Sequence, residues 1–330
     1  MNNKVLFYKD NPIIIPSFSS KGNMLISDGE KIISDNHELI LMLDKYLYHT
    51  YLISSYDVYY NLMPDNIDEY PLTDFLFVDS GGYEISDSYD LSEKYKYNYH
   101  ICEWNIKNMI KVYQKIYKSS LFDSTKLVLT TFDCQVDLYN QIMKAGLLKT
   151  EFPNATIDFL IKIKDDFTSF YRQFDQYKEE LMKFSIIGIT EKELGITLKD
   201  KLLNIIKVRS TMDSLGWEGS IHIFGGLEPN VLTLYFLAGA NIFDGLSWQR
   251  VRFSNNSTLH NPNNYMIDRS EIDNKYWMMA NNILDLLSLE ETLRDYSMNN
   301  DMKMIRSLLC NILQGKGLYI NQVIEAIGGI

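Results

Sequence analysis

The sequence predicts an α/β protein of the (β/α)8 TIM-barrel class with additional C-terminal helices. Three observations carry this expectation: eight short apolar runs rich in Ile, Leu, Val and Phe, amphipathic helical segments between most of them, and acids or glycines where the runs end. Short apolar runs bounded by turn residues suit strands buried on both faces, as in a parallel sheet covered by helices. In chain order the runs are NPIIIPS (11–17), YLISS (51–55), FLFVD (75–79), KLVLTTFD (126–133), IDFLIKI (157–163), FSIIGI (184–189), SIHIFG (220–225) and NIFDG (241–245). Eight is the number that closes such a barrel.

The segments between the runs show the helical period. In EWNIKNMIKVYQKIYKS the residues Ile106, Ile110, Tyr113 and Tyr117 fall on one face, and KDKLLNIIKVRSTMDSLG repeats the device and stops on a glycine. From about Asn261 the strand signal disappears, and WMMANNILDLLSLEETLRDYSM, MKMIRSLLCNIL and INQVIEAI read as a closing helical layer. No Pro/Ser-rich linker intervenes, so residues 1–260 are expected to form the barrel and 261–330 a helical part packed on it, as one domain.

Composition narrows the function. Hydrophobic residues make up 46% of the 330, enough for a sizeable core, while no run of eighteen apolar residues occurs and MNNKVLFYKDNP has no signal-peptide h-region. A cytoplasmic protein without a membrane partner is expected. The three cysteines (Cys102, Cys134, Cys310) and the five histidines are scattered, giving neither a disulfide framework nor a zinc site, and no metal or cofactor is implied. A net charge of −11 argues against nonspecific attraction to nucleic acid but leaves room for a local basic groove.

The ends of the runs carry the chemistry. Asp79 ends the third, Asp133 the fourth, Lys162 lies near the end of the fifth, and Gly188, Phe224 and Asp244 end the sixth, seventh and eighth. In a barrel these ends share the face where active sites occur. Clustered carboxylates shift one another's pKa, so that one serves as nucleophile or base while another holds a proton. A strand-end Asp also serves as a plain helix N-cap. A metal site is the other reading of three acids, but His222 alternates with Ile221 and Ile223, which places it opposite them in the wall.

DSGGYE resembles the DSGGFQ/DSGGYQ signature of the tRNA-guanine transglycosylases, and HIFGGLEPNVLTLYFLAGANIFDGLSWQR is similar to that family's GVGTPEDLL and GVDMFDCV segment. TTFDCQ is similar to its base-recognising AFDEC element, and NPIIIPSFSSKG with TYLISSYDVYY to its first two strands, so the likeness runs in order through residues 11–253. Such enzymes exchange a guanine in nucleic acid for a 7-deazaguanine without cutting the backbone. The resemblance implies that Asp244 is the nucleophile on the sugar C1′ and Asp79 the acid/base. It implies that Asp133 accepts the N–H edge of the purine and that Tyr83 and Phe224 sandwich the base. Ser80, Gly81 and Gly82 would line the base beside Asp79, the glycines leaving room for a flat heterocycle, with Gly188 and Gly225 serving the same need. Each glycine alone also reads as a turn residue. Arg250 matches the arginine that contacts nucleic acid, with Arg252 and Lys207 as further candidates.

Three departures shape the substrate expectation. The zinc-holding CxCxxC of the tRNA enzymes is absent, Lys162 or its neighbour stands where an amide reads the base, and Glu84 stands where glutamine is usual. DSGGYE, IGITEKELG and FDGLSW look more like the branch that places 7-deazaguanines in DNA, the DpdA-type proteins. The expected partners are guanine, a 7-deazaguanine base and nucleic acid, DNA before tRNA, with a homodimer or an accessory protein possible. The alternatives are the tRNA activity, an N-glycoside hydrolase on the same barrel, and a partner subunit without chemistry. Retention of both Asp79 and Asp244 argues against the last.

Overall fold

The eight apolar runs form the strands of a closed parallel barrel in the computed structural model, which describes residues 7, 9–21, 25–28, 31–86, 101–134, 136–163, 166–254, 257–260 and 271–299. The barrel strands are β1 (Ile13–Phe18), β4 (Thr50–Ser54), β5 (Phe75–Asp79), β6 (Lys126–Thr130), β7 (Thr156–Ile161), β8 (Ile186–Thr190), β9 (Ser220–Phe224) and β10 (Ile242–Gly245), in the order β1-β10-β9-β8-β7-β6-β5-β4. Every residue of β1 and of β4 is buried, the condition their apolar sequences demand. Two antiparallel hairpins stand outside the barrel: β2 (Leu25–Asp28) with β3 (Lys31–Ser34), and β11 (Val251–Ser254) with β12 (Ser257–His260).

Ten helices occur among the described residues: α1 (Asp35–Met42), α2 (Ser55–Tyr59), α3 (Ile106–Tyr117), α4 (Leu138–Glu151), α5 (Phe167–Gln176), α6 (Lys178–Leu181), α7 (Leu198–Ser214), α8 (Pro229–Leu237), α9 (Ser247–Arg250) and α10 (Glu271–Asn299). The buried stripe of α3 is Met109, Val112, Tyr113 and Ile116, rotated from the expected Ile106, Ile110, Tyr113 and Tyr117, and Ile106 is exposed. The stripe through Met109 has the i, i+3, i+4, i+7 spacing that places side chains on one face. The Tyr113 hydroxyl reaches the carbonyls of Val78 (3.1 Å) and Thr130 (2.7 Å), tying α3 to β5 and β6. A capping box of Thr197 and Asp200 starts α7, and Gly216 at φ +63° follows its end, as the sequence implied.

The chain divides into two compact units. One comprises Met1–Ile15, Gln135–Met143 and Asp158–Ile330, and the other Pro16–Cys134 and Lys144–Ile157. Within the first, α10 ties down the connection after β10. Asn282, fully buried, donates from Nδ2 to the Trp248 and Val251 carbonyls at 2.7 Å each and accepts the Phe253 N–H at 2.9 Å. Glu290 accepts the Ile14 N–H at 2.8 Å and the Arg294 guanidinium at 2.6 Å. The expected helices MKMIRSLLCNIL and INQVIEAI, with Cys310, lie outside the described residues. No described helix is long and apolar enough to cross a membrane.

Candidate active site

Asp244 lies at the C-terminal end of β10 and is 7% exposed. Its Oδ1 accepts the Gly225 N–H at 2.9 Å, from a glycine whose φ of +81° is costly for other residues. The same oxygen lies 3.4 Å from His222 Nε2, and His222 Nδ1 lies 2.6 Å from Asp158 Oδ2 with both side chains wholly buried. Burial works against a charged imidazole. The carboxylates of Asp158 and Asp244 outweigh it and push the His222 pKa up to about 9, while burial pushes the Asp158 carboxyl up against the lowering effect of His222. His222 alternates with the isoleucines along β9, and it is bonded to Asp158 within β7 and close to Asp244 near the end of β10.

The other expected residues of this unit sort by what they touch. The Phe224 ring stacks on His222, centroids 3.9 Å apart and 29° between planes, so one face of the expected base platform is covered by the imidazole. Gly188 is not a strand end but the middle of β8, paired with His222 in register. A Cβ there would come within 2.4 Å of Phe224 Cε2 and 3.0 Å of Asp158 Oδ1, so the space is taken by the protein's own side chains. Lys162 follows β7 and pairs with Glu193 at 3.2 Å, the carboxylate that Thr190 also bonds, so its ammonium is neutralised inside the protein. Gln141 grips the Lys162 backbone, accepting its N–H at 2.9 Å and donating to its carbonyl at 3.0 Å.

The basic candidates also separate. Arg250 ends α9, shortly after Asp244. The Arg252 guanidinium is bonded to Asp285 and to Asn282, and lies 5.9 Å from the Trp277 ring centre, which fastens it against α10. Lys207 lies over the Tyr171 ring at 3.9 Å.

The second unit carries DSGGYE. Asp79 closes β5, and its Oδ2 accepts the Gly81 N–H at 3.2 Å. Gly81 takes φ +83°, and a Cβ there would lie 2.8 Å from both Trp104 Nε1 and Tyr56 Cβ. Trp104 Nε1 donates to the Ser80 carbonyl at 2.8 Å, locking the turn. Ser80 Oγ is buried without a hydrogen-bond partner among the described residues. Asp133 lies in the loop beyond β6, which stops at Thr130, and its side chain fills the place a Gly82 Cβ would need, 2.7 Å from Asp133 Cβ. The room left by these glycines therefore admits Trp104, Tyr56 and Asp133, a correction to the expectation that it lies open to a heterocycle.

Behind Asp79 is a group of buried acids that the sequence did not announce. Asp57, on α2, accepts the Ser20 N–H at 2.6 Å and the Ser20 hydroxyl, and Glu84 accepts the Ser19 hydroxyl at 2.5 Å. Lys21, also buried, donates to the carbonyls of Tyr83 (3.0 Å) and Ser86 (2.7 Å) and lies 4.7 Å from the Tyr83 ring centre. Burial, then the nearby Glu84 and Asp79 charges, raise the Asp57 pKa well above the carboxylate range against the Ser20 hydrogen bonds. Burial likewise raises Glu84, against the Ser19 and Ser54 hydroxyls and the Lys21 charge.

These shifts have a consequence for stability. The folded chain retains protons that the unfolded chain has released once pH exceeds the ordinary carboxylate range, so stability falls as pH rises, by at most about 1.4 kcal/mol per unit for each such group. Asp57→Asn keeps the shape and removes that titrating group. Its thermal midpoint is expected to fall less than wild type between about pH 5 and pH 8; parallel curves would place the penalty elsewhere.

No cluster of three or more His, Cys, Asp or Glu that could hold a metal ion occurs among the described residues. No model of a known protein family matches the chain, and no curated protein is significantly similar to it.

Proposed function

We propose that this protein is a guanine transglycosylase that exchanges guanine in nucleic acid, DNA in preference to tRNA, for a 7-deazaguanine base. The observation that carries the proposal is the setting of Asp244: a nearly buried carboxylate at the C-terminal end of a barrel strand, held by the Gly225 N–H and 3.4 Å from the His222 ring. A poorly hydrated carboxylate at a strand end is suited to attack a sugar carbon. Asp244 bonds to C1′ as the bond to the guanine nitrogen breaks, and Asp79 gives its proton to the departing base. The incoming deazaguanine then loses a proton to Asp79 and attacks C1′, releasing Asp244. Asp133 accepts the purine N–H edge and Tyr83 stacks on the base. A paired guanine must leave the helix to be reached, and Arg250 is assigned to the phosphates beside it.

Incubation with a radiolabelled 7-deazaguanine and either duplex DNA or tRNA tests the proposal. Label entering DNA is the expected outcome. Label entering tRNA alone would correct the substrate, and free guanine released without incorporation would make the enzyme a hydrolase. Neither label nor release would remove the proposed function.

A further inference from the structure

Asp158, His222 and Asp244 stand on β7, β9 and β10 and form one line: 2.6 Å from Asp158 Oδ2 to His222 Nδ1, then 3.4 Å from His222 Nε2 to Asp244 Oδ1. The register explains why they meet. His222 pairs with Ile242, so Asp244, two residues further on, points to the same side of the sheet. Leu160 pairs with Gly188, and Gly188 with His222, which puts Asp158 on that side too. Barrel interiors are ordinarily filled by branched apolar side chains, and two buried ions pack no better than these while costing desolvation. The ion pair therefore calls for an explanation beyond packing.

Its contact with the third member supplies one. Asp244 Oδ1 accepts the Gly225 N–H at 2.9 Å and lies 3.4 Å from His222 Nε2, so the ring that Asp158 anchors at 2.6 Å fixes where that carboxylate sits. The unequal distances matter as well: the short contact anchors the imidazolium to Asp158, and the long one leaves Asp244 oriented without neutralising it. Asp158 and Asp244 are the titratable groups that face His222; β8 contributes Gly188, and β9 itself contributes Phe224.

We propose that Asp158 and His222 are positioning residues for Asp244, the Asp158-anchored ring holding that carboxylate aimed for attack. The proposal rests on Asp244 being the nucleophile, and its test has one arm that needs no reaction. In full-length protein labelled with 15N-histidine, the His222 signals are those lost in His222→Gln. They are expected to show both ring nitrogens protonated through pH 8, and Asp158→Asn and Asp244→Asn are each expected to lower the titration by about one pH unit or more. A neutral ring at pH 7, or a titration that neither substitution moves, would overturn the proposal.

The second arm follows covalent adduct formation with guanine-containing DNA. His222→Gln retains an N–H near Nε2 but not the charge. It is expected to slow adduct formation about 10- to 100-fold at unchanged KM. A folded His222→Gln protein with the wild-type rate, or one whose loss lies in KM alone, sinks the positioning role. If wild-type protein forms no adduct with any nucleic acid, the transglycosylase reading fails, and the histidine titration still decides whether the charge is held beside Asp244.

Discussion

Asp244→Asn is expected to yield a folded protein that forms no covalent adduct and whose base exchange falls on the order of 10⁴-fold or more. The amide keeps an oxygen for the Gly225 N–H, so the turn after β9 retains its hydrogen bond. What disappears is the charge opposite His222 and the oxygen that would bond C1′. Denaturing electrophoresis of protein trapped on labelled DNA reads the adduct, and a thermal melt reads the fold. Asp79→Asn gives the informative contrast. A missing acid/base slows departure of one base and deprotonation of the next but leaves the nucleophile in place, so a trace of adduct should persist. An adduct of wild-type yield in Asp244→Asn would remove Asp244 from the nucleophile's role.

The largest structural effect is expected at Gly81. Its φ of +83° costs an alanine roughly 1–2 kcal/mol, and the new Cβ would meet Tyr56 Cβ and Trp104 Nε1 at 2.8 Å. Tyr56 Cβ is bound to the backbone of α2 and cannot swing aside, and Trp104 Nε1 is held by the Ser80 carbonyl. Overpacking adds about 1–3 kcal/mol, for a total of about 2–5 kcal/mol in Gly81→Ala. Gly225 supplies the control: its φ is +81°, yet a Cβ there meets nothing within 4 Å, so Gly225→Ala should lose only the conformational cost, about 1–2 kcal/mol. Urea denaturation of the two variants separates strain from crowding. Equal losses would show that the Trp104 contact yields freely.

The barrel was legible because most of its strands are nearly continuous apolar runs. IIIPSF and TYLIS are buried throughout, and runs of that kind have few other places to go. The β2–β3 hairpin escaped notice because each strand has four residues and mixes Lys, Ser and Asp with its apolar positions. Its one signal is Gly29, directly after Asp28, at the first place of the two-residue connection that the Asp28–Lys31 pairing leaves. Asp79 and Asp244 could be picked out because an acid where an apolar run stops is conspicuous. His222 and Asp158 are inside such runs and read as interruptions. A lone ionisable group is too costly in a strand covered on both faces, so two of them, in IDFLIKI and SIHIF, were the available sign that they pair. The glycines of DSGGYE show a different limit: sequence reveals that a Cβ is missing, but not whose atoms occupy the gap.

Glu290's bond to the Ile14 N–H spans 276 residues of chain, and this separation bears on how the protein is made. At about 5–20 residues per second, the ribosome adds Glu290 roughly 15–55 seconds after Ile14 has been joined. Throughout that interval the apolar segment IIIPSF lacks its last partner and is open to pairing with stray strands from other nascent chains. Pro16, in the middle of the segment, has no N–H to offer such a strand. The residue that looks least at home in β1 thereby removes one hydrogen bond from any such pairing.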